Sequence, residues 1–276
     1  MTNVIDWFME PLQYPFMVRG LCAAILVGIV SAVTGTFVVL RGMAFFGNAL
    51  AHSILPGVAA GYILGEGDRR HLFWWALGAA ILSALGINLL SRDQRLKTDT
   101  AIGITYAGMF ALGIVIISSA QNYTVDLTHI LFGDILGVGS SDLVLTASFG
   151  LLVLLIHGLL YKEFQIMAFD PILAKTLRLP TRFLNGLQLV MIALVIVVSL
   201  QTVGIAMMAA LLITPAATAY LVTRHLRHMI MLAVLVAMGS VLTGLYLSFY
   251  WNIASGAAIV LVATTIFVLA WLIKRK

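Results

Sequence analysis

Residues 41–65 read RGMAFFGNALAHSILPGVAAGYILG. The stretch is apolar and mostly helix-forming. From Met43 to Leu64 it would run about 33 Å as an α-helix, against a hydrocarbon core of roughly 30 Å. Asn48 and His52 lie four apart, one above the other on a single helical face. His52 falls about 14 Å in from the Met43 end, close to mid-membrane. An ionisable side chain at that depth is costly and faces a cavity or a partner. Four residues on, Pro56 cannot donate to the His52 carbonyl, so the helix is weakened at the turn that carries the polar pair. A histidine here also suits a simple bond to a neighbouring carbonyl, and Pro56–Gly57 suits a packing kink. Neither reading explains why amide, imidazole and helix break coincide. Polar ligands beside an interrupted helix at mid-depth are what a transport site needs.

The composition around this stretch makes the chain a polytopic, all-α membrane protein. Of 276 residues, 62% are hydrophobic and 10% charged, with a mean hydropathy of +1.07; soluble domains carry about 25% charged residues. The longest polar stretches, 91–99 and 161–182, are too short to fold alone, so residues 1–276 read as a single transmembrane domain. Cys22 is the sole cysteine and excludes an intrachain disulfide. The opening MTNVIDWFMEPLQYP lacks a cationic region and carries Asp6 and Glu10, which argues against a cleaved signal peptide.

Apolar runs predict spans at 16–40, 43–64, 72–90, 101–118 and 143–160, two more within the uncharged run 183–223, and two within 229–273. The last two pairs break near Thr202–Gly204 and Tyr250–Ile253. Asp99 and Thr100 read as the cap of the fourth span. Small residues recur at every fourth position in the first span (Gly20, Ala24, Gly28, Ala32) and the second (Ser53, Gly57, Gly61, Gly65), and the two stripes are expected to pack on each other. Between the fourth and fifth spans, VDLTHILFGDILGVG reads as a short amphipathic or re-entrant helix carrying Asp126, His129 and Asp134. It suits a solvated loop helix or a metal-entry face. FDPILAKTLRLP, bracketed by Pro171 and Pro180, reads as a short helix in the loop 161–182.

The positive-inside rule sets the orientation. With the C-terminus cytoplasmic and residues 1–15 outside, all 16 lysines and arginines except Arg19, Arg69 and Arg70 fall inside. The net charge of +5 therefore concerns topology and not nucleic acid. No phosphate-cradling G-x-x-x-x-G-K-[ST] loop is present, so ATP is not hydrolysed here. No H-E-x-x-H is present, and His52 lacks a second strong ligand and a base for an intramembrane hydrolase. No acid lies deep in a span and no internal repeat is visible, which disfavours a secondary carrier. Met207 and Met208 read as packing residues.

The segments MEPLQYPFM, VLRGMAFFGNALAHSILPGVA, DTAIGITYAGMFALG, DLTHILFGDILGV, FDPILAKTLRLP and VVSLQTVGIAMMAALLITPAATA resemble, in order and over nearly the whole chain, the metal-ion permeases of ABC importers. These are the membrane subunits for manganese, zinc or iron(II). The resemblance implies a homodimeric channel in the bacterial cytoplasmic membrane, a cytoplasmic ATP-binding subunit and an extracytoplasmic metal-binding protein, with the metal ion as cargo and no resident cofactor. The family carries an aspartate and, four residues later, a histidine in the second span. His52 matches the histidine, and Asn48 stands at the aspartate position. An amide oxygen still ligates a hard cation, with one negative charge fewer per subunit. Two basic stretches are candidates for coupling to the ATPase, 169–182 and 215–228. The second is favoured, as a helix started by Pro215 and ending in Arg224, His225, Arg227 and His228.

Overall fold

The computed structural model describes residues 9–65, 69–91, 96–119 and 135–274. After a short 3-10 turn at Pro11–Gln13 come α1 (Pro15–Leu40), α2 (Ala44–Ser53), α3 (Leu55–Leu64), α4 (Arg69–Leu90), α5 (Thr98–Ser119) and α6 (Ser140–Leu159). Then follow α7 (Tyr161–Phe169), α8 (Pro171–Thr176), α9 (Thr181–Val203), α10 (Ile205–Val222), α11 (Leu226–Trp251) and α12 (Ser255–Lys274). No strand occurs among the described residues. Seven of these helices are long and apolar enough to cross a membrane, and α10 carries a shorter apolar run, Met207–Val222. With the α2–α3 pair this accords with the expected eight to nine embedded segments. Helices dominate because hydrocarbon offers no water to the backbone, so each N–H and C=O must be served within its own segment.

The breaks fall where local chemistry puts them. Gly204, with φ +78°, separates α9 from α10, a backbone that glycine adopts without a steric penalty. Asn252, with φ +50°, separates α11 from α12, and the Ser248 hydroxyl donates to the Ile253 carbonyl across that turn (2.6 Å). In the second span, Ile54 joins two half-helices of ten residues each. Pro56 occupies the first turn of α3, where a missing N–H costs nothing. The buried Ser53 hydroxyl donates to the Ala49 carbonyl (2.8 Å), a back-bond that bends helices.

Several sequence expectations need correction. Helix α5 begins at Thr98, so Asp99 lies in its first turn instead of capping it; a carboxylate there still complements the helix dipole. Helix α7 was not foreseen, and forms because Phe164 and Met167 bury one face of YKEFQIMAF. Pro215 does not start a helix but lies inside α10. The carbonyl that Pro215 leaves without its intrahelical donor is that of Leu211, and a membrane helix keeps such a proline where neighbouring groups serve the freed carbonyl. Of the segment 125–139, only 135–139 are described, as a non-helical turn. Asp126, His129 and Asp134 lie outside the described residues.

The chain divides into two compact units. One comprises Met1–Val39, Thr128–Leu155 and Val198–Lys276; in it α10, α11 and α12 pack pairwise. The other comprises Leu40–Leu127 and Ile156–Val197; in it α2, α3, α4 and α5 pack together, and α7 packs on α8. Each small-residue stripe has a close partner within its own unit. Gly28 lies against Ala237 and Val241 of α11, whereas Gly57 and Gly61 lie against Leu72 and Trp75 of α4. The short connection after Gly65 makes α3 and α4 neighbours, and that contact consumes the second stripe.

The tightest approach is at Gly35, where an added Cβ would sit 1.7 Å from the Leu212 carbonyl oxygen of α10. Gly35→Val should therefore force α1 and α10 apart and destabilise by about 1–3 kcal/mol or more. Gly108, with open space around it, should accept alanine within about 0.5 kcal/mol. Thermal melts of the two variants in detergent check the contrast; equal melts would mean that the α1–α10 contact does not limit stability.

Candidate functional site

Asn48 and His52 both lie on α2, with His52 in its last turn, one residue before Ser53 closes the helix. Within the chain Asn48 is exposed and His52 half-buried, while Ala49, Leu50 and Ala51 between them are buried. The periodicity of 3.6 thus turns the apolar face inward and leaves the amide–imidazole face uncovered by its own unit. Phe45, on the same side, is 53% exposed.

Helix α5 backs the histidine. The His52 ring lies 6.0 Å from the Tyr106 ring and 6.1 Å from Phe110, the latter edge-on. Tyr106 and Phe110 also contact each other at 5.8 Å. Helix α5 can come this close because Gly113 leaves room for Leu55 of α3; a Cβ there would meet that side chain at 2.8 Å. The two rings pack against the imidazole from α5. Sequence reading missed both rings, although TYAGMF sets them four apart on one helical face.

Among the described residues no three of His, Cys, Asp and Glu come together as a metal-holding group. One chain presents two neighbouring donors, an amide oxygen and an imidazole nitrogen, the mixture suited to first-row divalent ions. Two donors do not complete a coordination shell. Met207 and Met208 are buried, at 1% and 0% exposure, as packing residues should be.

The second group of candidates lies at the turn between α10 and α11. Thr223 and His225 are extended there, and Arg224, His225, Arg227 and His228 are all exposed while Leu226 and Met229 are buried. The rings of His225 and His228 lie 5.7 Å apart. Pro215 is remote from this turn along α10. In the rival stretch, Asp170 caps α8 by accepting from the Ile172 and Leu173 N–H groups at 3.0 and 2.9 Å. Arg178, with φ +55°, closes the other end, where the Leu179 N–H donates to the Ala174 carbonyl (3.0 Å). Helix α8 is thus fixed at both ends, yet Phe169, Ile172 and Leu177 stand 58%, 78% and 53% exposed.

The sequence model of the ABC 3 transport family matches residues 13–274. The chain belongs to this family. It is 47% identical over 270 residues to the manganese transport system membrane protein MntC of Listeria innocua, covering 98% of this chain and 95% of the relative. It is 35% identical over 267 residues to a probable iron transport system membrane protein of Haemophilus influenzae, covering 97% of each chain. The solved structure of PsaBC from Streptococcus pneumoniae in complex with Fab aligns with a TM-score of 0.83 and 40% identity, covering 97% of this chain and 95% of that one. The chain is accordingly a membrane subunit of an ATP-driven transport system, in which ATP hydrolysis falls to a separate subunit.

Proposed function

We propose that this chain is the permease of an importer for divalent transition-metal ions, with manganese the first ion to test and iron(II) and zinc next. The observation that carries the reading is the uncovered Asn48–His52 pair at the joint of two half-helices, in a chain 47% identical to a protein named for manganese transport. A secondary, non-ATP carrier finds no support in family membership. A two-fold pair is the commonest closed assembly. Bringing two such faces together would converge two imidazoles and two amide oxygens on one ion. Such a site holds its cargo loosely enough to release it. The whole chain, 1–276, acts as one permease domain in the bacterial cytoplasmic membrane, with residues 1–15 outside and the C-terminus in the cytoplasm. An extracytoplasmic metal-binding protein delivers the ion.

The coupling surface follows from the shapes of the two basic stretches. Region 215–228 loses the proline-started helix on which the sequence preference rested. Region 169–182 instead offers a capped helix with exposed apolar side chains outside any span. We therefore place the main ATPase contact at α8, with the Arg224–His228 turn as a second, electrostatic contact. Cysteines at Thr176 and Thr223 separate the two. Cross-links to the ATPase from position 176 are expected, and cross-links from 223 alone would restore the earlier preference.

His52→Ala should abolish metal uptake by whole cells while membrane assembly is retained. Wild-type uptake of manganese, iron and zinc in that variant would end the pathway assignment.

Asn48→Asp tests the other donor. In low dielectric, charge governs how tightly a divalent ion is held. Two asparagines leave a 2+ ion uncompensated and shift the balance of donors toward imidazole, which mildly favours zinc or iron(II) over manganese. The aspartate should tighten metal binding by on the order of tenfold and move uptake selectivity toward manganese, with His52 intact. Unchanged binding and selectivity in an assembled protein would make Asn48 a packing residue.

A further inference from the structure

Within the second unit, helix ends enclose a polar cavity of about 310 Å³ lined by Arg41, Asn88, Ser91, Lys97, Asp99 and Asn185. Arg41 follows α1, Asn88 and Ser91 lie at the end of α4, Lys97 and Asp99 at the start of α5, and Asn185 near the start of α9. The cation bias of the sequence assigns these ends to the cytoplasmic side.

The cavity is rich in donors and short of acceptors. Arg41 donates through Nη1 to Gln188 Oε1 and through Nη2 to Asn185 Oδ1. Both acceptors are neutral amides, so these two bonds hold the guanidinium in place without neutralising it. Two of its five N–H groups are used by these bonds. Burial draws the Arg41 pKa down from the ordinary arginine value. The Gln188 amide nitrogen is buried without a partner, and so is the Ser91 hydroxyl, which lines the cavity. Lys97 adds a second cation, and the Thr98 and Asp99 N–H groups at the start of α5 have no helical carbonyl a turn earlier, whereas those of Thr100 and Ala101 donate to the Lys97 carbonyl. Asp99 is the single carboxylate among the described lining residues. A buried charge without a counter-charge is costly, and an anion in this cavity would relieve it.

We propose that the cavity binds a phosphate group. It holds two cations, a helix N-terminus and orphaned donors at the level of the lipid headgroups, and basic pockets between spans on the cytoplasmic side suit anionic headgroups. The same chemistry would accept free inorganic phosphate. This site is separate from the Asn48–His52 face and takes an anion, not the cargo cation.

The test uses the full chain, purified in neutral detergent. Thermal stability is followed against short-chain phosphatidylglycerol, phosphatidylcholine and inorganic phosphate, with chloride at matched ionic strength as the control. A ligand that binds the folded state raises the melting temperature in a concentration-dependent way. Phosphatidylglycerol should stabilise the protein and phosphatidylcholine should not. Lys97 is exposed, so Lys97→Gln should fold normally and weaken the response about tenfold, the loss of one charge-assisted contact. Ser91→Ala should weaken it further. Stabilisation by inorganic phosphate as well as by the lipid identifies a free phosphate site, and stabilisation by the lipid alone identifies a headgroup site. No stabilisation beyond the chloride control, or an equal response in Lys97→Gln and Ser91→Ala, overturns the proposal.

Discussion

In hydrocarbon an unserved backbone group costs several kcal/mol, and the arrangement around residue 54 follows from that constraint. Ser53 bonds back to Ala49, Ile54 ends one half-helix, and Pro56 has no N–H to offer the turn before it. Such a joint survives only if protein covers it. Gly57, Gly61 and Gly65 let α4 approach close enough to cover one side, and Gly113 lets α5 approach the other. The glycines are therefore less a general packing device than the condition for keeping a broken helix in a membrane. What they leave open is the face of Asn48 and His52.

The polar chemistry of the chain relies on amides where carboxylates would be the stronger choice. Asn48 stands beside His52, Asn185 and Gln188 hold Arg41, and Asn88 packs against Gly186 at 2.9 Å from where a Cβ would sit. An amide orients a neighbour without neutralising it, so charge is left for something else to satisfy. In the open face the missing negative charge lowers the hold on a cation. In the cavity at Arg41 the same economy leaves positive charge unmatched. One chemical habit would thus make the proposed cation site weaker and the proposed anion site stronger.

Helix existence and most boundaries were legible because apolar length and glycine or asparagine breaks act locally. The separations at Gly204 and Asn252 fell within the predicted windows. Partner choice was not legible. A small-residue stripe states that something approaches closely, and within their own units Gly28 meets α11 while Gly57 and Gly61 meet α4. Pro215 misled because a proline was read as a helix start, whereas membrane helices also carry prolines in their interior, as α10 does. The Arg41 cluster was invisible because its partners, Asn185 and Gln188, lie in a run defined by its lack of charge.

An incomplete pair of donors is a functional arrangement in its own right. A single chain with a closed shell of three or four strong ligands would trap a divalent ion at mid-membrane, and transport demands release. In the proposed assembly, two donors on an uncovered face would make a complete shell only when a second face is brought up, and the shell would dissolve when the faces part. The Tyr106 and Phe110 rings contribute by holding the imidazole without supplying a charge. Affinity then depends on the spacing between two faces, a quantity that motion driven by an ATPase can change. A site built wholly inside one rigid unit would lack that handle, because packed interiors do not deform continuously. On the proposed reading, the broken helix and the exposed donors are two parts of one requirement, that the ion be held by geometry that can be undone.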